Sequence, residues 1–214
     1  MQYAVFVDEY RDSSGKRLVD YPRPSVAVDT AVLSVDVQHR LVVVLADSRL
    51  PGTFLWENER LADAVQRSLR SKVGIEGLRP QQLQVFDNPR RDERGWVLSS
   101  AHVDVVPFAH LGDAGARAVP VAEVSGLRYD HDEIVRLAVE WLRGRYREEP
   151  DPAHLLAETF TLRDLQQVHE AVAGRPLMRD SFRRGMERKL RETGELATGV
   201  VGKPPRLFSR LPID

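Results

Sequence analysis

At 214 residues, 42% of them hydrophobic and 29% charged, with a formal charge of −1, the chain is long enough for two packed domains and reads as soluble and globular. It contains no cysteine, which excludes disulfides, thiolate metal sites and cysteine nucleophiles and fits a reducing compartment. No apolar run approaches the roughly 20 residues of a membrane span, and the start Met1-Gln-Tyr-Ala-Val5 lacks the basic opening of a signal peptide, so a cytoplasmic location with no membrane partner is expected.

In chain order, Ser25 to Val37 and Leu41 to Ala46 are rich in β-branched residues and separated by Gln38-His39-Arg40, which predicts a hairpin. A helix follows from about Asn58 to Val73, then strands at Gln82 to Phe86 and Trp96 to Pro107. Asp130 to Tyr146 carries Ile134, Leu137, Ala138, Trp141 and Leu142 at helical spacing. Strands on both sides of one helix, closed by another, give an α/β arrangement. Glu148-Glu-Pro-Asp-Pro152 breaks the pattern with two prolines among acids, and the boundary is placed there: a first domain over 1–147, a linker over 148–157 and a second domain over 158–214.

The second domain reads as short helices and a hairpin. Thr161-Leu-Arg-Asp164 has capping-box form and opens a helix with the stripe Leu162, Leu165, Val168 and Val172, ended by Gly174 and Pro176. The next helix is predicted from Asp180 to Arg191, burying Phe182, Met186 and Leu190 and presenting Arg184, Arg188 and Arg191 on its other face. Gly202-Lys-Pro-Pro205 then makes a turn between strands Leu196 to Val201 and Arg206 to Arg210. Between Arg175 and Arg210 basic residues exceed acidic ones by six, while the rest of the chain is acidic, an asymmetry that points to a polyanion. Helix, turn, basic helix and basic hairpin describe an α+β winged helix-turn-helix that places its second helix in the major groove of double-stranded DNA. A solvated arginine-rich helix on an interaction domain shares the composition and lacks only the coupling to a basic hairpin.

The segment Thr53-Phe-Leu-Trp-Glu-Asn-Glu59 followed by Arg67-Ser-Leu-Arg-Ser-Lys-Val-Gly-Ile75 resembles a Nudix box, with Glu59, Arg67, Leu69, Gly74 and Ile75 in register. The opening glycine of that pattern falls on Thr53, one place after Gly52, and the three core carboxylates fall on Ser68, Ser71 and Lys72. Positions i, i+3 and i+4 share a helix face, so three glutamates there hold divalent cations through oxygen. Two hydroxyls and an ammonium do not, and a lysine at ligand distance reverses the local field. No metal, no cofactor and no catalytic residue is therefore assigned. The same spacing also fits an ordinary amphipathic helix with Leu61, Val65 and Leu69 as its core stripe.

These pieces together resemble the NrtR-like family of Nudix-related transcriptional regulators of NAD metabolism, whose fold is a Nudix-like α/β sandwich followed by a winged helix. The resemblance is carried by Leu50-Pro-Gly-Thr-Phe54 with the degenerate box, Tyr129-Asp-His-Asp-Glu-Ile134, Phe160-Thr-Leu-Arg-Asp-Leu165, Gly174-Arg-Pro-Leu177 through Phe182-Arg-Arg184, and Gly202-Lys-Pro-Pro-Arg-Leu-Phe208. It implies a homodimeric repressor of NAD biosynthesis or salvage genes, released from DNA by ADP-ribose or a related nucleotide; because one basic helix covers only a half-site, a two-fold dimer reading a palindromic operator is expected.

Candidate DNA contacts are Arg179, Ser181, Arg183, Arg184, Arg188, Lys189, Lys203, Arg206 and Arg210. A nucleotide diphosphate needs cations in place of a metal, and Arg49, Arg67, Arg91 and Arg94 flank the predicted cleft, as do Arg70 and Lys72; Phe54 or Trp56 would stack a base. Each fits a surface charge or a core aromatic equally well. His131-Asp-Glu133 lies at a helix start, where acids suit the dipole and neighbours do not face each other. The alternative function is a Nudix-fold nucleotide-diphosphate hydrolase with non-standard ligands, Glu57 or Glu59 with Asp92 or Asp132.

Overall fold

The structure is a computed structural model that describes residues 10–199 and 202–212. The first domain is built on β1 (Ser25–Val35), a strand whose middle residues are buried on both faces, as expected of the centre of a covered sheet. It pairs with β2 (Leu41–Val44) in the expected hairpin, with Leu33 opposite Val43, and runs parallel to β5 (Val97–Val105). Three further strands complete the sheet: β3 (Gly52–Phe54) on β1, β4 (Gln81–Phe86) on β5 and β6 (Ala118–Pro120) on β2. β3 and β6 have too few residues to show alternation, and neither was expected.

Helix α1 (Leu61–Val73) covers one face and α2 (His131–Glu148) the other. Val28, Val32, Val65 and Leu69 pack together on the α1 side, whereas Ala31, Leu33, Ile134, Ala138 and Leu142 pack on the α2 side. α1 begins three residues later than expected and ends where Gly74 takes a left-handed φ of 73°, its amide reaching the carbonyls of Leu69 and Arg70.

The second domain orders β7 (Thr159–Phe160), α3 (Leu162–Ala173), α4 (Arg179–Met186), β8 (Leu190–Leu196) and β9 (Arg206–Arg210), with the sheet in the order β7-β9-β8. The capping box forms: Thr161 Oγ1 accepts from the Asp164 amide at 3.2 Å and Asp164 Oδ2 from the Thr161 amide at 2.9 Å. The expected helix Asp180 to Arg191 is corrected: it stops at Met186, a 3-10 turn covers Glu187–Lys189, and Leu190 begins a strand paired with Arg210. Leu190 is nevertheless buried with Phe160, Leu165 and Phe208, so a side chain that continues the helical stripe is delivered to the same core from a ladder. The expected strand over Leu196 to Val201 lies earlier in the chain, and Val200 and Val201 are outside the described residues.

The segment between the domains is packed. Buried Asp151 accepts from Tyr146 Oη at 2.7 Å, from the Leu155 and Leu156 amides and from Arg210 Nη2 at 2.8 Å, and Val168 and Val172 of α3 join the core beneath α2. The second domain thus uses the outer half of α2 as its own first helix.

Candidate ligand pocket and nucleic-acid interface

The box residues form a knot of hydrogen bonds. Arg67 donates Nε to Glu59 Oε1 at 2.8 Å and Nη2 to Glu59 Oε2 at 2.7 Å, reaches Thr53 Oγ1 at 3.0 Å and the Phe54 carbonyl at 2.8 Å, and lies over the exposed Trp56 ring at 3.7 Å. Bonds from Arg67 hold the Glu59 carboxyl down at about 2, well below its ordinary value. Arg67 and Trp56, expected as ligand contacts, instead brace the turn before α1 and do not line the pocket beside it. Ser68 is buried and Ser71 exposed, while Lys72 enters the pocket lining. No group of three His, Cys, Asp or Glu suited to a metal occurs among the described residues. Of the alternative ligands, Glu59 is held by Arg67, Asp92 by Arg94 at 2.6 Å and Asp132 by the Gly126 and Leu127 amides. The Nudix metal cluster does not fit these side chains.

The pocket, about 250 Å³, is lined by Arg49, Phe54, Arg91 and Arg94, together with Lys72 and Tyr129. Arg94 lies 5.0 Å from the Phe54 ring centre and 5.2 Å from that of Tyr129, so two aromatic faces flank one guanidinium. At the back, buried Asp29 accepts from Ser99 Oγ at 2.5 Å and from His131 Nε2 at 3.2 Å. His131 Nδ1 in turn accepts from the Leu50 amide at 3.0 Å, which places the ring proton on Nε2. Burial works to raise the Asp29 pKa, but the bonds from His131 and Ser99 and the charge of Arg91 hold it below the usual carboxylate range. Buried Arg91 donates Nε to Asp130 at 2.7 Å and stands 3.6 Å from Asp29, and its Nη2 has no hydrogen-bond partner. Asp130 and His131 are the start of α2, so pocket and helix share residues. Asp29 and Tyr129 were missed as site residues; the available signal was a carboxylate interrupting the apolar run Val26-Ala-Val-Asp-Thr-Ala-Val32.

In the second domain α3, α4 and the hairpin enclose a groove of about 870 Å³ lined by Arg163, Arg179, Arg183, Lys203 and Arg206, with Glu170 its only carboxylate among the described residues. Ser181, Arg184 and Arg188 are exposed, the last in the 3-10 turn. Arg183 and Arg206 share Glu187, at 3.0 and 2.7 Å. Two expected DNA contacts turn inward. Arg210 is held by Asp151 and the Leu156 and Ala157 carbonyls, and Lys189 Nζ donates to the Glu148 carbonyl at the end of α2. Arg163, beside the capping box, was missed.

A Nudix-type sandwich whose box helix has exchanged carboxylates for hydroxyls and an ammonium, fused through α2 to a winged helix with a basic groove, defines a ligand-sensing DNA-binding protein. Residues 152–209 match the NrtR DNA-binding winged helix domain. The chain is 26% identical over 229 residues to the ADPR responsive transcriptional repressor NtrR of Acinetobacter baylyi, covering 98% of this chain and 88% of the relative. It resembles the crystal structure of Shewanella oneidensis NrtR complexed with a 27mer DNA, with a TM-score of 0.71 and 29% identity over 87% of this chain and 93% of that one. An ADP-ribose pyrophosphatase of Methanocaldococcus jannaschii is 25% identical over 154 residues, 67% of this chain and 88% of the relative. The chain thus carries an NrtR-type winged helix and is similar to NrtR regulators over nearly all of its length.

Proposed function

We propose that this protein is a transcriptional repressor that binds a palindromic operator as a homodimer, controls genes of NAD biosynthesis or salvage, and releases DNA when ADP-ribose occupies the first-domain pocket without being hydrolysed. The observation that carries this reading is the exchange at the box: Lys72 enters the pocket at a position where metal chemistry needs a carboxylate, beside Arg49, Arg91 and Arg94. Cations then meet a diphosphate directly. In the second domain Arg179, Arg183, Lys203 and Arg206 hold phosphates, and Arg184 and Arg188 face the groove of the duplex. The homodimer follows from symmetry, because one α4 spans a single half-site. The test is a titration of the full chain against an operator duplex selected from a random pool, with and without ADP-ribose, beside an assay for ADP-ribose cleavage in Mg²⁺ or Mn²⁺. Release without cleavage is expected; turnover lost on mutating Glu59 or Asp132 would favour the hydrolase.

A further inference from the structure

Three arginines have no part in either site. Arg143 and Arg147 on the outer half of α2, and Arg175 in the turn between α3 and α4, border a separate cavity of about 400 Å³ enclosed by the three helices. That volume lies within the range of small-molecule sites. Its floor is aromatic: the rings of Tyr146 and His169 meet edge to face with centres 5.1 Å apart, and those of His169 and Phe182 at 4.9 Å, a series that crosses from α2 through α3 to α4. Val172 and Met186 complete the apolar wall.

The charge around that floor is one-sided. No Asp or Glu lines the cavity, and none of the three arginines forms an ion pair among the described residues. Arg143 spends its Nε on the Val172 carbonyl at 2.9 Å and Arg147 its Nε on the Arg143 carbonyl at 3.3 Å, which leaves the Nη donors of both for a ligand. His169 is held by Nε2 on the Pro150 carbonyl, so that nitrogen carries the proton and Nδ1 presents a lone pair. Burial pushes the His169 pKa down and keeps the ring neutral. Uncompensated guanidinium groups beside a cavity walled by aromatic rings complement a molecule that is aromatic on one side and anionic on the other.

The geometry points to a second ligand site here, for a small aromatic anion whose ring lies on Tyr146, His169 and Phe182 and whose carboxylate, phosphate or sulfonate is held by Arg143, Arg147 and Arg175. Phe182 and Met186 are the inward face of α4, and Phe182 also borders the basic groove. A ligand that displaces Phe182 therefore acts on the DNA-reading helix without passing through the first domain.

The probe is 8-anilinonaphthalene-1-sulfonate, titrated by fluorescence into the full-length protein, with benzoate and mononucleotides as competitors. One saturable site per chain is expected, weakened by about tenfold or more in the exposed double variant Arg147→Glu/Arg175→Glu through loss of charge-assisted bonds. The probe should also lower affinity for a selected operator duplex in the wild type and not in the variant, whose melting temperature and probe-free operator affinity stay unchanged. Equal probe affinity in wild type and variant would overturn the assignment. So would a variant that loses operator affinity with no probe present, because these arginines would then be phosphate contacts. A Met186→Trp variant, which fills the cavity without touching charge, should block the probe as well; unchanged probe binding there equally refutes the site.

Discussion

Gly52 shows what a single side chain costs in the first-domain pocket. A Cβ at this position would stand 2.0 Å from Asp29 Oδ1 and 2.9 Å from the Val28 carbonyl, so Gly52→Ala must push β3 off β1 or rotate the buried carboxylate away from His131. We expect a loss of about 1–3 kcal/mol in urea unfolding and a weakened response to ADP-ribose, because the strand carrying Thr53 and Phe54 moves. Asp29 itself makes a pH prediction. Its folded pKa lies below its unfolded value, so its contribution to stability is complete above about 4 and is lost as the pH falls through the folded pKa. Unfolding measured from pH 7 to pH 3 should therefore show a steeper acid loss in wild type than in Asp29→Asn, and identical slopes would show that the carboxylate is not what titrates. Arg49, Arg91 and Arg94 line the pocket and were legible as cations flanking the predicted cleft elements, whereas Arg67 lies outside it. The buried frame of Asp29, Ser99 and His131 was not legible, since it joins residues 70 and 102 positions apart through sheet register rather than local pattern.

At the scale of elements, the helical stripe, the Gly74 and Gly174 stops and the capping box at Thr161 could all be read from spacing, since each is a local device. The end of α4 could not. Leu190 suits a helix stripe or a strand core equally, and pairing with β9 decides it, which moves Arg191 onto the hairpin, where its Nε donates to Ser209. The same tertiary choice separates basic residues that composition treats as alike. Arg184→Ala, on the exposed face of α4, should cost about 1–3 kcal/mol of specific operator binding, whereas Lys203→Ala should weaken all duplexes alike and flatten the salt slope by about one. Arg210→Ala should behave differently again. It leaves buried Asp151 without its cation, so thermal unfolding should show a loss of about 3–5 kcal/mol while operator affinity below the melting point is retained. A stable Arg210→Ala protein with impaired operator binding would return Arg210 to the DNA surface.

For the whole molecule the question is how an occupied pocket lowers affinity some distance away, and α2 supplies a continuous physical connection. Its first turn holds Arg91 through Asp130 and Asp29 through His131, while its last turn holds Asp151 through Tyr146 and receives Lys189 at the Glu148 carbonyl. A diphosphate bound beside Arg91 draws on the guanidinium that Asp29 and Asp130 share, and any shift of the helix start is carried to the side chains that seat Arg210 and the hairpin. Linkage makes this quantitative: ADP-ribose must bind free protein more tightly than operator-bound protein by the same factor by which it weakens operator binding. Calorimetric titration with and without saturating operator measures both sides, and equal affinities would remove ADP-ribose as the effector. The route is tested by Tyr146→Phe, which keeps the ring on His169 but loses the bond to Asp151. If α2 carries the signal, this variant should bind ADP-ribose and operator separately with little change, yet the coupling factor between them should fall by about threefold or more. Retention of the full factor in Tyr146→Phe would place the coupling outside the helix end.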